Sequence, residues 1–351
     1  MRVHLVDPAA FTPPYDRALA SALADAGAEV ELITSRFDYG DVPAVRGVTV
    51  REHFYRWAPP AGRRYARLAQ HVPDMLRYRR EARRADVVHF QWLPVQAIDA
   101  HLLPRKRPRI LTAHDVLPRE PKPSQLAGQR KLYERMDAIV VHSEHGAGRL
   151  RDELGLDPAK VHVIPHGVLD NLAAVPPESL FAKTKPVVLF FGLIRPYKGL
   201  DVLLEAWRRA RPDAELWVVG MPRMDASFIH GPGVRTALRF VSGAELAGAF
   251  EAADLVVLPY REIDQSGVLF TALAFGKPLL LSDVGGFAEI AGAELVQPDD
   301  PEALAAALSA LLADPAKLAS MAAASRAAAD GALGWDSIAQ RTLALYEAVQ
   351  A

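Results

Sequence analysis

The sequence predicts an α/β chain built as two successive doubly wound, Rossmann-like units, each on a parallel sheet. Three observations predict it. Short apolar runs rich in β-branched residues alternate with segments of helical periodicity from end to end, the pattern of parallel β-α-β winding. The alternation breaks at 172–186, LAAVPPESLFAKTKP, which carries three prolines and no periodicity, and then restarts. The chain's 351 residues also exceed one ordinary domain and suit two.

In the first half the strand-like runs are Val3–Val6, Val30–Thr34, Val87–Phe90, Ile110–Thr112, Ala138–His142 and Val161–Ile164. Helices are expected near Tyr15–Ala26, Pro94–Leu103, Gln125–Arg135 and Glu144–Leu154, and over part of Arg63–Arg84, interrupted at Pro73. After the proline-rich linker the strands are Val187–Phe191, Leu216–Val219, Leu255–Leu258, Pro278–Ser282 and a short Leu295–Gln297. The helices between and after them are Gly199–Ala210, Ala244–Ala252, Gly267–Phe275, Pro301–Leu312 and Ala316–Ala329. GPGVRT at 231–236 lacks the strand–turn–helix setting of a dinucleotide loop and reads as a plain loop. The last segment carries Ile338, Leu343, Leu345, Tyr346 and Val349 on one helical stripe, which needs a partner surface. The expected division is 1–171, 172–335 and a final helix, 336–351, crossing back to the first unit. Such sheets bind ligands at their strand C-terminal ends, so the two units are expected to face each other across a cleft.

Composition excludes several classes. Half the residues are hydrophobic and about a quarter charged, ordinary for a globular enzyme. There is no cysteine, so thiol catalysis, disulfides and thiolate metal sites are ruled out. The opening MRVHLVDPAA reads as a first strand rather than a signal peptide, and no apolar run is long enough for a membrane span. A cytoplasmic enzyme is the expectation. The net charge of −1 hides a basic first half and an acidic second half. The basic excess is concentrated between Arg51 and Arg84, with ten arginines against Glu52, Asp74 and Glu81. That stretch reads either as a solvated helix face or as a surface for an anionic acceptor or membrane leaflet.

Two stretches carry chemistry. In PVVLFFGLIRPYKG a buried strand ends at Gly192, a loop with Arg195 and Lys198 follows, and Gly199 opens a helix. Glycine admits a ligand to the backbone, and two cations beside a helix N-terminus suit a diphosphate. In LPYREIDQSGVLFTALAFGKPLLLSDVGGFAE a second strand ends at Leu258, and Ser266–Gly267 opens an apolar helix. The exposed amides of Ser266, Gly267 and Val268 suit another phosphate. The strand after Gly276–Lys277–Pro278 ends at Asp283–Val284–Gly285–Gly286, placing a further turn on the same side of the sheet.

With these residues in view, the chain resembles the retaining glycosyltransferases of glycosyltransferase family four, which have the two-Rossmann-domain GT-B fold. The matching pieces are FGLIRPYKGLDVLLEAW, ADLVVLPY, QSGVLFTALAFGKPLLLSDVGGFAE and the terminal WDSIAQRTLALYE, covering nearly all of 187–351. In the first half DVVHFQW, LTAHD and VIPHGV are the recognisable points.

The resemblance implies an acceptor-binding first domain and a nucleotide-sugar-binding second domain. It implies transfer of a sugar from a nucleoside diphosphate sugar to an acceptor hydroxyl, with no cofactor and no metal. Arg195 and Lys198 would clamp the diphosphate with Gly192 behind them, and the Ser266–Val268 amides would take its distal phosphate. His114 would face the donor sugar, and His166 replaces the asparagine of an interdomain Asn-Gly-Val turn. The family's pair of glutamates eight residues apart falls near Asp264, with Glu262 as a rival, and on Thr271. Its glycine-rich first loop is replaced here by DPAAFTPPYD, which suggests an acceptor wall containing Tyr15 and Asp16. The implied acceptor is a glycan, a lipid-linked molecule or a small molecule, and nucleic acid is not implied. A catalytically silent GT-B subunit and a nucleotide-sugar epimerase are the alternatives on this fold.

His89 ends a strand and reads either as an acceptor-side residue or as a satisfied core histidine. His142 and His145 lack a third neighbour in sequence for a metal site. Within the basic stretch Tyr65, Leu68, Met75, Leu76 and Tyr78 interleave with arginines, a pattern compatible with peripheral contact at the inner face of a membrane.

Overall fold

The computed structural model describes residues 1–37, 42–57, 64–105, 107–117 and 123–351. They form two compact units, one of 1–167 with 335–351 and one of 168–334.

The first unit is wound as β1 (Arg2–Asp7), α1 (Pro13–Asp25), β2 (Glu29–Ser35), β3 (Val48–Phe54), α2 (Arg64–Glu81), β4 (Val87–Phe90) and α3 (Gln96–Leu102). It continues with β5 (Arg109–Thr112), α4 (Pro123–Glu134), β6 (Ala138–Val141), α5 (Glu144–Asp152) and β7 (Val161–Val163). Its seven strands are all parallel, in the order β3-β2-β1-β4-β5-β6-β7. Alternate residues of each strand feed opposite layers. Val6, Val88 and Phe90 pack with Met75 and Tyr78 of α2, while Val3, Leu5 and Val87 pack with Leu19 and Leu23 of α1. The C-terminal helix closes the second of these layers, contributing Ile338, Leu345 and Tyr346.

The second unit is wound as β8 (Val187–Phe191), α6 (Leu200–Ala210), β9 (Glu215–Val219), β10 (Val234–Ala237), α7 (Gly243–Ala252), β11 (Leu255–Leu258) and α8 (Gly267–Ala274). It ends with β12 (Leu279–Ser282), β13 (Glu294–Val296), α9 (Pro301–Leu312) and α10 (Pro315–Asp330), and the last helix, α11, is Trp335–Gln350. Its six parallel strands run β10-β9-β8-β11-β12-β13. Both sheets therefore reverse their winding beside their first strand, between β1 and β4 and between β8 and β11. Ligands bind at such switch points, at the strand C-terminal ends.

Three expectations need correction. The run VTVREHF forms β3, whose polar Arg51, Glu52 and His53 had hidden it. GPGVRT is a loop only to Gly233, because Val234–Ala237 adds an edge strand to β9. Pro73 does not interrupt its helix; α2 runs through it. An interior proline costs a helix roughly 3 kcal/mol. Here His71, Asp74, Met75 and Tyr78 are buried along α2, so packing holds the turn that the backbone alone would not. Residues 58–63 of the arginine-rich stretch lie outside the described residues.

Candidate active site

The loops after β8 and β11 flank the switch point of the second unit. After Phe191 the backbone turns at Gly192 with φ +112°. A Cβ there would lie 3.0 Å from Lys198 Nζ and 3.1 Å from Val268 Cγ2. Three residues from two separate loops thus converge on one point of bare backbone. Lys198 is buried, and its ammonium sits 4.9 Å from the centroid of the Tyr260 ring, which favours the cation. Arg195 leads the short turn Pro196–Lys198 in extended conformation and is exposed. Gly199 closes that turn with φ +64°, where a Cβ would fall 1.9 Å from the Pro259 carbonyl oxygen. Only glycine fits that contact, and it seats the cationic turn on the start of the next loop.

Ser266 caps α8 and is buried; its side chain bonds none of the first-turn amides. The Ser266, Gly267 and Val268 amides lie at the positive end of α8, beside Lys198 through Val268, while the Leu269 N–H bonds the Ser266 carbonyl at 3.0 Å. Thr271 is buried and donates its hydroxyl to the Gly267 carbonyl oxygen at 2.9 Å, so its hydrogen belongs to its own helix. Asp264 is half-buried and Glu262 exposed. Between them the Ile263 carbonyl oxygen lies 1.9 Å from where a Gly285 Cβ would stand, bringing the Asp283–Gly286 turn against the same loop.

Arg261 holds this arrangement, and no sequence signal singled it out. Its Nη1 donates to the Pro196 carbonyl at 2.6 Å and to Asp201 at 3.0 Å. Nη2 donates to Asp201 at 2.7 Å and Nε to Asp299 at 2.6 Å, while its backbone N–H donates to the Tyr197 carbonyl at 2.8 Å. One side chain thus ties the cationic turn, the start of α6 and the loop after β11. The signal available was an arginine three residues past a strand end, facing acids distant in sequence.

In the first unit the C-terminal ends of β4, β5, β6 and β7 bring Gln91, His114, His142 and His166 together. The His114 and His142 rings approach through Nδ1 and Nε2 at 3.2 Å. His142 Nδ1 donates to the Ile164 carbonyl at 3.0 Å, and His114 Nε2 lies 3.2 Å from the Gln91 amide. Trp92 stacks on His114 at 5.2 Å between centroids, and Tyr15 meets the rings of His114, His142 and His166 at 4.8, 5.5 and 4.6 Å. All four side chains, Tyr15 included, are buried. Burial first, then the neighbouring imidazoles, holds His114 and His166 well below the usual histidine range, and burial takes His142 down to about 4. These imidazoles are neutral at pH 7. The spacing of the three histidines, 28 and 24 residues, hides them from any local pattern. Even so, each follows a strand end by one to three residues.

Asp16 is buried beside Asp7, and Asp7 accepts from the amides of Ala9 at 3.0 Å and Phe11 at 2.5 Å. Desolvation raises both carboxyls, and the neighbouring Asp7 raises Asp16 further. Asp16 also lines a pocket of about 190 Å³ with Arg17, Thr34, Ser35, Arg36 and Glu52. His89 is a satisfied core histidine: Nδ1 bonds the Tyr346 hydroxyl at 2.7 Å and Nε2 the Thr112 hydroxyl at 2.8 Å. Burial lowers it to about 3. Among the described residues no three His, Asp or Glu side chains are grouped to hold a metal ion, the histidine cluster included.

The chain matches the Glycosyltransferase Family 4 profile over residues 17–171 and the Glycosyl transferases group 1 profile over 185–314. It is 30% identical to the D-inositol 3-phosphate glycosyltransferase of Xylanimonas cellulosilytica, across 93% of this chain and 89% of that protein. The chain belongs to glycosyltransferase family four. This family-four glycosyltransferase is 31% identical to the enzyme of the same name from Segniliparus rotundus, across 95% and 83% of the two chains. Its fold is that of sucrose-phosphate synthase from Thermosynechococcus elongatus, with TM-score 0.76, 21% identity and 99% of each chain covered. The Anabaena protein HepE, solved in complex with UDP-glucose, superposes with TM-score 0.73 and 17% identity over 99% of this chain and 100% of that one. The glycosyltransferase thus has GT-B architecture, with two parallel-sheet Rossmann-like domains and a C-terminal helix on the first. It is nucleotide-sugar-dependent, with basic residues placed for a diphosphate.

Proposed function

We propose that this glycosyltransferase is a retaining hexosyltransferase whose second unit holds the nucleoside diphosphate sugar and whose first unit takes the acceptor hydroxyl. The convergence of Gly192, Lys198 and the Val268 end of α8 at the switch point carries the reading. Lys198, Arg195 and the Ser266–Val268 amides stabilise the charge that develops on the diphosphate as the C1–oxygen bond breaks. Its electron pair stays on the leaving phosphate oxygen. The acceptor oxygen bonds C1 from the same face and passes its proton to that phosphate oxygen, so no carboxylate pair is required. His114 supports the sugar. Asp264 or Glu262 takes the place of the family's first glutamate, and Thr271 replaces its carboxylate at the ribose.

For the acceptor, the pocket beside Asp16 is the candidate. Its volume suits a single ring, and Arg17, Arg36, Thr34 and Ser35 suit an anionic polyol. The named activity of the relatives supports putting inositol phosphates in the acceptor panel. Peripheral contact at the cytoplasmic face of a membrane rests on α2, where Tyr65, Leu68 and Leu76 are exposed among arginines. Arg51 and Arg77 do not contribute, because they pair with Glu31, Glu81 and Asp74. Among the described residues no single helix is long and apolar enough to cross a membrane.

The test is transfer from a panel of nucleoside diphosphate sugars, with the product anomer assigned by NMR. Retained configuration is expected. An inverted anomer overturns the mechanism, and an altered sugar still on its nucleotide marks an epimerase. Nucleotide binding without any transfer marks a silent subunit.

A further inference from the structure

We propose that His142 and Gln91 are positioning residues that fix His114 as its Nδ1–H tautomer, so that His114 Nε2 meets the substrate as a hydrogen-bond acceptor. This rests on the reading of His114 as the residue that supports the donor sugar.

The chain of bonds runs in one direction only. The Ile164 carbonyl can only accept, so the His142 Nδ1 at 3.0 Å carries the hydrogen. His142 is buried, with no carboxylate among its contacts, and stays neutral, so its Nε2 presents a lone pair. The His114 Nδ1 at 3.2 Å must then donate to it. His114 is buried and neutral as well, which leaves its Nε2 without a proton. That atom faces Gln91 at 3.2 Å.

With the Gln91 oxygen toward His114, two acceptors would face each other and the Gln91 Nε2 would be buried without a partner. Turning the amide end for end removes the facing acceptors: its N–H donates to His114 Nε2, and the oxygen takes the other position. The reverse tautomer would suit the Gln91 oxygen but fails at the other end of the chain. It would need His142 to donate from Nε2 and, when neutral, to set a bare Nδ1 against the Ile164 carbonyl.

The aromatic rings around the chain pack against it. Trp92 stacks on His114 with an interplanar angle of 12°, and Tyr15 stands edge-on at 89°. A hydroxyl of the bound sugar that replaces the Gln91 amide therefore has to donate to His114. This selects a hydroxyl over an ether or fluorine at that position.

The tautomer is read directly by NMR of the full chain labelled with 15N at histidine, where the ring nitrogen bearing the proton is distinguished by its coupling pattern. The His114 signals are assigned by their loss in His114→Gln. Wild type is expected to show the Nδ1–H form, and His142→Phe to shift His114 toward the Nε2–H form. In the same His142→Phe protein kcat falls about tenfold or more while KM for the donor changes less, the cost of a buried hydrogen bond misdirected. His142→Gln, whose side-chain carbonyl can accept from His114 Nδ1, restores most of the tautomer and of kcat. An Nε2–H His114 in wild type overturns the proposal, as does an unchanged tautomer in a folded His142→Phe. Transfer unaffected by His114→Gln, with the Nδ1–H form still observed in wild type, would instead refute the role given to His114.

Discussion

At the scale of single residues, Gly199 and Lys198 do different work on the same turn. Gly199→Ala places a methyl group 1.9 Å from a backbone oxygen and holds alanine in left-handed conformation, so the backbone itself must move. The expected loss is at least about 2 kcal/mol, several degrees in a thermal melt. Lys198→Ala removes a buried ammonium that reaches the diphosphate as proposed. A charge-assisted bond of this kind is worth roughly 1.5–3 kcal/mol, so the affinity for a nucleoside diphosphate should fall tenfold or more. Gly192→Ala, crowding Lys198 and Val268 at once, should weaken the same ligand; an unchanged Kd would show that the bare backbone at Gly192 is not part of the site.

Among the elements, the loops after β8 and β11 act as one piece because Arg261 bonds both. Arg261→Ala should raise the Kd for nucleoside diphosphate several-fold with a small change in melting temperature, since the side chain is partly exposed. Arg261→Lys should not restore it, because one ammonium cannot reproduce a fork directed at Pro196, Asp201 and Asp299. A Kd equal to wild type in either variant would contradict this. The diphosphate loops were legible in the sequence because each is a local pattern of strand, glycine, cation and helix start. Arg261 was not, since its partners lie 60 and 38 residues away. The same reason hid the histidine cluster, which exists only because β5, β6 and β7 are neighbours in the sheet. The elements misread were those where local propensity and packing disagree: β3 with its polar Arg51, Glu52 and His53, the edge strand β10, and Pro73 within a helix fastened by its buried side.

For the whole molecule, six buried imidazoles whose titration burial lowers give a pH dependence with a definite sign. His89 and His142 sit at about 3 and 4 in the folded chain, and His4, His53, His114 and His166 are also lowered. In the unfolded chain histidine titrates near 6.5. Their contribution to stability is therefore complete above about pH 6.5 and is lost as the pH falls toward 4, because only the unfolded chain takes up those protons. The raised carboxyls of Asp7 and Asp16 act oppositely, stabilising the folded chain at lower pH. Melting should occur at lower temperature at pH 5 than at pH 7, with a smaller drop in His142→Gln. A flat profile would mean that the imidazoles are not neutral in the folded chain. The central claim, that the second unit is a diphosphate clamp closed by Lys198, is tested most directly by calorimetric titration of the full chain with UDP, GDP and dTDP. One of the three should bind wild type and bind a folded Lys198→Ala variant at least tenfold more weakly. Wild type binding none of them, or both proteins binding alike, would contradict it.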